Sequence, residues 1–257
     1  MAVVPLPAHP EERVEFENTY GDARRAAAFD ELDFSGTYYL AVRDLRRILS
    51  DHVRGGRALD FGCGTGRSTR YLKELGFETQ GVDISGEMVA LAERRDPGGD
   101  YRVITDGDFD GLVEGSFDLV LCAFTFDNIP GRDHKVRLFT GLRQLLADHG
   151  RVVNIVSTPE IYTHDWVTFS TSAYPENRLA RCGDVVRIVT TDYSDGRPVE
   201  DIIWPHENYL AVYREAGLTT LLHERPTASG EEGIAWVSET SVPPWSIYVL
   251  GVEPTMP

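Results

Sequence analysis

Cysteine is scarce in this 257-residue sequence: there are three, Cys63, Cys122 and Cys182, widely separated and without a C-x-x-C pair. An odd, scattered set argues against a disulfide framework or a thiolate zinc site and for reduced thiols in a cytoplasm. No metal is expected. Long apolar runs are also missing, since no stretch approaches the ~20 residues needed to span a bilayer. No membrane attachment is therefore expected. The opening MAVVPLPAHPEERVEF has neither the basic start nor the apolar core of a cleavable signal, and reads as a loose leader into a first helix. Positive charge is in deficit, with 25 Lys and Arg against 41 Asp and Glu, a formal net charge of −16. Nucleic-acid binding draws most of its affinity from neutralised phosphates, so so acidic a chain is a poor nucleic-acid partner. Hydrophobic residues make up 42% of the chain, ample for a core.

What the chain does have is glycine in one telling place. The run Ala58 to Thr69, ALDFGCGTGRST, closes an apolar strand, passes Asp60, and sets Gly62, Gly64 and Gly66 at alternate positions before a helix-like run. A strand that turns into a helix over glycines lets a ligand approach backbone N–H groups that Cβ atoms would shield. A dinucleotide-binding turn is spaced G-x-G-x-x-G, with the pyrophosphate on bare amides at the helix N-terminus. Here the spacing is G-x-G-x-G, and Asp60 stands where it repels a phosphate and attracts a cationic ammonium. Asp83, in GVDIS at the end of the next apolar run, lies seventeen residues past Gly66. A carboxylate at that strand tip can accept both hydroxyls of a ribose. Asp83 as a simple helix N-cap remains open at this point. An ammonium-bearing amino acid joined to a ribose describes S-adenosylmethionine.

On these residues the sequence resembles the class I S-adenosylmethionine-dependent methyltransferases. DFGCGTG resembles the family's first glycine-rich motif and GVDIS its second-strand acidic motif. Asp106-Gly107 precedes Ser116-Phe117-Asp118 as the family's adenine-contacting loop precedes its fourth strand; a solvated turn in TDGDFDG is the alternative. SFDLVLCAFTFDNIP and LRQLLADHGRVVNI then resemble the fourth strand with its turn, and the helix and fifth strand. The resemblance spans roughly residues 55 to 157. It implies S-adenosyl-L-methionine as cofactor, held by Asp60, Gly62, Gly64, Gly66, Asp83, Ile84, Met88, Asp106, Gly107 and Phe124, with Tyr20, Tyr39 and Arg43 closing over the methionine end. It also implies methyl transfer to N, O or an activated C of a small molecule, of the kind met in specialised metabolism. The expected partner is that small-molecule acceptor, with room for a homodimer. Where members that methylate adenine or glutamine amides carry N-P-P-Y or D-P-P-Y, this chain has Phe126-Asp127-Asn128-Ile129-Pro130. Base, tRNA and protein-amide acceptors are therefore not expected. A cofactor-binding protein of the same fold catalysing a rearrangement or cyclisation, a nicotinamide-dependent oxidoreductase and a non-catalytic binding module are the competing readings.

The expected fold is α/β: a doubly wound, Rossmann-like, seven-stranded sheet, mostly parallel with an antiparallel last strand. Residues 1–54 read as a helical lid, with helices over 17–30 and 37–53 and an apolar stripe of Leu40, Leu45, Ile48 and Leu49. Residues 55–157 form the cofactor-binding core, with strands near 57–61, 78–82, 101–104, 117–122 and 151–156. The segment after Ile155 is too long for a plain βα loop, so 158–205 is expected to be an antiparallel β cap with a hairpin turn at Asp195-Gly196. Residues 206–257 supply a helix, strands near 218–224 and 245–252, and a surface loop over 226–244. Methyl transfer needs the acceptor held about 3 Å from the methyl and in line, and in some cases a base. Asp127 after the fourth strand, His164 beside Tyr162 and Trp166, and His206 at a helix start are the candidate catalytic residues. Tyr20, Phe34, Tyr38 and Tyr39 offer aromatic faces to a sulfonium.

Overall fold

In a computed structural model, which describes residue 27, residues 34–191 and residues 197–252, ten strands and six α-helices are found among the described residues. The strands are β1 (Arg57–Phe61), β2 (Glu78–Asp83), β3 (Asp100–Val103), β4 (Phe117–Ala123), β5 (Leu146–Ser157), β6 (Phe169–Ser170), β7 (Val185–Thr190), β8 (Val199–Ile202), β9 (Thr219–Glu224) and β10 (Trp245–Gly251). The helices are α1 (Tyr39–Val42), α2 (Leu45–His52), α3 (Arg67–Glu74), α4 (Gly86–Arg95), α5 (Arg132–Leu145) and α6 (His206–Glu215). Seven strands form one sheet in the order β3-β2-β1-β4-β5-β10-β9. β1 to β5 pair in parallel, and β10 runs antiparallel to both its neighbours. The strands expected near 57–61, 78–82, 101–104, 117–122, 151–156, 218–224 and 245–252 all lie in this sheet, β5 starting earlier than expected.

The central strands β4 and β10 and the second half of β5 are mainly apolar and buried because both faces of the sheet are covered there. On one face Leu138, Leu142 and Leu145 of α5 and Val212 and Tyr213 of α6 meet Leu59, Val120, Val152 and Leu250. On the other, Leu40, Leu45, Ile48 and Leu49 meet Ala58, Leu119, Val153 and Val249. That second set contains the whole predicted stripe, each member buried. Helix 37–53 is expected as one piece and is found as a 3₁₀ turn (Gly36–Tyr38), α1 and α2. Arg43 and Asp44 keep right-handed helical dihedrals across the break.

The sheet order reverses between β1 and β4, the chain having wound outward through β2 and β3 before returning. In a doubly wound sheet this switch point opens a crevice at the carboxyl ends of the strands. The smaller antiparallel sheet β6-β7-β8 is built from the segment between β5 and α6. Val185 pairs with Ile202 and Ile188 with Val199, so the expected hairpin arms do pair. The turn at Asp195-Gly196, Tyr20 and all of the helix expected over 17–30 except residue 27, which is helical, lie outside the described residues. The 226–244 loop has no helix or strand, yet it is anchored: Glu239 is fully buried, accepting from Thr37 Oγ1 (2.7 Å), Val167 N (2.8 Å) and Val237 N (2.9 Å). One carboxylate thus joins the segment before α1, the segment before β6 and the 226–244 loop. No helix among the described residues is long and apolar enough to cross a membrane.

Candidate active site

The glycine loop takes its shape from left-handed backbone. Gly62, Gly64 and Gly66 have φ of 75°, 52° and 79°, a region that costs other residues about 1–2 kcal/mol. A Cβ on Gly62 would overlap the side chain of Thr125, whose Oγ1 donates to the Phe61 carbonyl at 2.8 Å. Glycine therefore allows the turn after β4 to close against the end of β1. Asp60 is fully buried, and its Oδ2 accepts from Ser68 Oγ (2.7 Å) and Thr69 Oγ1 (2.6 Å) in the first turn of α3. Its Oδ1 is buried with no hydrogen-bond partner. Burial pushes this carboxyl up to about 6, against the two hydroxyls that hold it down.

Asp83 closes the other side of the loop. Its Oδ2 accepts from Gly64 N and its Oδ1 from Ser85 N, both at 2.8 Å. Burial nevertheless pushes its carboxyl up. The residue capping α4 is Ser85, whose Oγ accepts from Met88 N at 3.3 Å, so Asp83 is not the cap that the sequence left open. Ile84 and Met88 continue the wall of the same cavity, and Asp106, paired with His134 Nε2 at 3.0 Å, stands beyond them. Each carboxylate oxygen of Asp83 keeps acceptor capacity beyond its single amide donor.

The far half of the cavity is aromatic and acidic. Phe124, at the end of β4, has φ of 64°, unusual for a non-glycine residue. It packs on Trp245 (ring centroids 4.8 Å) and Tyr38 (5.3 Å), with Tyr38 stacked on Trp245 and edge-on to Phe169. Arg67 lies over the rings of Phe34 and Tyr38. Asp127 follows, its Oδ2 accepting from Ser157 Oγ (2.8 Å) and Ser157 N (3.0 Å) at the end of β5. From the cap, Asp201 faces the same cavity, accepting from Asn128 Nδ2 (2.5 Å) and Tyr162 Oη (3.1 Å). Burial first, and then the Asp201 charge, push the Asp127 carboxyl well above the carboxylate range. Behind it Lys135 is fully buried, donating to the Phe126 carbonyl at 2.6 Å, and burial pulls its ammonium down to about 7.

Of the expected site residues, Gly62, Gly64, Asp83, Ile84, Met88, Asp106, Phe124 and Asp127 all line this one cavity. Gly66 and Gly107 shape turns beside it with positive φ. Asp60 braces the loop against α3 without lining the cavity. Tyr39 lies in the lid packing, and Arg43 is held by Asp44 (2.8 Å) and Glu232 (3.4 Å); Tyr38 and Phe34 line the cavity where Tyr39 and Arg43 do not. The two histidines are also elsewhere. The Nδ1 of His164 is 2.9 Å from the Glu160 carbonyl, which the 3₁₀ turn Pro159–Tyr162 presents to it. His206 is stacked on His223 (4.2 Å), its Nδ1 2.8 Å from Tyr248 Oη, and it opens onto a separate cavity. Sequence reasoning missed Ser157, Thr190 and Asp201, which line the acceptor half.

Residues 59–154 match the family model described as methyltransferase domain. Among curated relatives, a malonyl-[acyl-carrier protein] O-methyltransferase of Enterobacter lignolyticus is 34% identical over 102 residues, covering 37% of this chain and 39% of that protein. A ubiquinone biosynthesis O-methyltransferase of Burkholderia vietnamiensis is 31% identical over 83 residues, covering 31% of this chain and 36% of its own. The chain spans about half the length, or less, of the curated relatives it matches. Among solved structures, the CcbJ methyltransferase of Streptomyces caelestis superposes with a TM-score of 0.63 at 19% identity, covering 92% of this chain and 98% of that one. An S-adenosylmethionine-dependent methyltransferase of Clostridium acetobutylicum does so at 0.59 and 15%, covering 88% and 94%. The fold is therefore the class I methyltransferase fold, and residues 59–154 are similar to a methyltransferase domain.

Proposed function

From a methyltransferase domain whose switch-point crevice is roofed by a lid and a β cap, we infer that the chain transfers a methyl group from S-adenosylmethionine to a small molecule. The observation that carries this reading is Asp83, held rigidly by two backbone amides at the tip of β2 and still offering acceptor lone pairs to the cavity. The bound cofactor would supply an activated methyl on sulfur, so the chain has mainly to position an acceptor. Asp83 would take the ribose hydroxyls, the backbone of Gly62 and Gly64 the methionine portion, and Ile84, Met88 and Asp106 the adenine. Asp60, buried behind the loop and outside the cavity lining, would act on the methionine portion through the loop it braces. Phe124, Tyr38 and Trp245 present ring faces that favour positive charge.

Within the acceptor half, Asp127, 5% exposed, would be the group placed to orient an acceptor or take its proton. Residues 1–54, 55–157, 158–205 and 206–257 would then act as lid, cofactor core, substrate cap and completion of the sheet. The acidic chain and its enclosed cavity favour a small acceptor over nucleic acid. Calorimetry with S-adenosylmethionine and S-adenosylhomocysteine, with NAD as control, tests the reading. Binding of both adenosyl compounds and not of NAD is expected. Binding of NAD alone, or of none of them, would overturn it.

A further inference from the structure

The acceptor half of the cavity carries chemistry of its own. Asp127 from the core and Asp201 from the cap are each 5% exposed and line the same enclosed space. Two largely buried carboxyl groups repel each other when both are ionised, a cost that Lys135 behind Asp127 offsets in part and that a ligand bringing positive charge and N–H donors offsets further. Thr190 lines the same cavity from β7, four residues along the strand from Val186, the residue that pairs with Asp201. The Thr190 Oγ1 is buried without a hydrogen-bond partner, an unusual state for a hydroxyl and one that a polar ligand atom would relieve. The rings of Tyr38, Phe124, Phe169 and Trp245 bound the same cavity, and Arg67 lies over Tyr38 on the side toward Phe34, away from Asp127 and Asp201 in sequence and element.

We propose that the acceptor is a small basic amine, methylated on nitrogen, and that Asp127, Asp201 and Thr190 form its subsite; this rests on the methyltransferase reading. The ammonium hands one proton to the Asp127 carboxylate. The freed nitrogen lone pair then forms the N–C bond to the methyl carbon while the S–C bond breaks, its electron pair staying on sulfur. The products are a thioether and a methylammonium, and Asp127 returns its proton to water as the site opens. Asp201 keeps its charge beside the amine, and Thr190, farther along β7, would hold a polar atom elsewhere on the same molecule. An acceptor carboxylate or phosphate would meet like charge on this wall.

The test uses the full chain saturated with S-adenosylhomocysteine and three probes of matched size: 2-phenylethylamine, 2-phenylethanol and 3-phenylpropanoate. The amine is expected to bind about tenfold or more tighter than the alcohol, as charge-assisted hydrogen bonds require, and the carboxylate not at all. With S-adenosylmethionine in its place, product mass spectra should show the amine gaining one methyl on nitrogen. Asp201→Asn should remove most of the preference for the amine, and Thr190→Val should weaken amine binding, with S-adenosylhomocysteine affinity unchanged in both. Equal binding of amine and alcohol, methylation of oxygen in preference to nitrogen, or an undiminished amine preference in both variants would overturn the proposal. Failure of the wild-type chain to bind S-adenosylhomocysteine would overturn the methyltransferase reading instead.

Discussion

Replacing Asp83 by asparagine changes one oxygen to an amino group and leaves the shape of the site intact. In the native chain both carboxylate oxygens are committed, one to Gly64 N and one to Ser85 N, each at 2.8 Å. Asparagine has a single acceptor, so one of these amides would face an NH2 group and lose its partner, at a cost of about 1–3 kcal/mol. Part of that cost is offset because a buried charge disappears, burial already pushing this carboxyl up. A net loss of about 1 kcal/mol corresponds to a fall in Tm of about 2–4 °C for a chain of this size. The ligand loses more. A ribose hydroxyl donating to a carboxylate gains about 1.5–3 kcal/mol, so donor affinity should fall about 10- to 150-fold. Calorimetric titration with S-adenosylhomocysteine measures the second quantity and differential scanning calorimetry the first. Asp106→Asn, at a more exposed carboxylate, should weaken the donor by less. A folded Asp83→Asn chain that binds S-adenosylhomocysteine as tightly as the native one would refute the assignment of Asp83 to the ribose.

Three further perturbations follow from the same geometry. Gly62→Ala meets both a left-handed φ and the Thr125 side chain; a stability loss of at least about 1–2 kcal/mol is expected, partly recovered by adding Thr125→Ala, and thermal denaturation of the two variants showing no recovery would count against the overlap. Asp60 titrates near 6 in the folded, unliganded chain against an ordinary 3.8. The folded state therefore holds this proton more tightly, so the group's contribution is full below about pH 4 and is lost as pH rises to about 6. Asp60→Asn should flatten that part of the stability profile, a difference of at most about 3 kcal/mol in denaturant titrations; parallel profiles would show that burial does not dominate there. Glu239→Ala removes three hydrogen bonds that join lid, cap and loop; a loss of about 2–3 kcal/mol or more is expected, with faster proteolytic cleavage ahead of α1, and unchanged protease resistance would mean the lid is held by its apolar packing alone.

The core of the fold was legible because its signals are local. β4 and β10 read as apolar runs because both faces of the sheet are covered there, while β1 and β2 are marked by the glycine loop and acidic residue at their ends. The glycine loop was legible for the same reason: three left-handed positions in five residues leave a mark that no other residue type can make. The lid misled at its detail. Tyr38 and Tyr39 are adjacent, and a helical rotation of about 100° between neighbours sends one ring to the cavity and the other into the lid packing. His164 and His206 were chosen for residue type and neighbourhood. Their rings are fixed by a carbonyl and by a stack of rings, neither of which a one-dimensional pattern displays.

The acceptor half escaped because its residues come from distant parts of the chain: Asp127, Ser157, Thr190 and Asp201 meet only when the cap folds back on the core. Yet a faint signal was present. In β7, Val186, Ile188 and Thr190 are buried while Val185 and Arg187 are less so, the period-2 pattern of a strand with one face on the core. Thr190 occupies a position that the alternation reserves for an apolar residue. The register pairs Val186 with Asp201 and Ile188 with Val199, so Asp201 breaks the same apolar stripe from the neighbouring strand. A hydroxyl and a carboxylate that interrupt one buried stripe from two adjacent strands are costly to the cap as a folding unit. Such polar interruptions are retained where a ligand completes them, which makes a polar residue on the buried face of a cap strand the feature to read first when an acceptor is unknown.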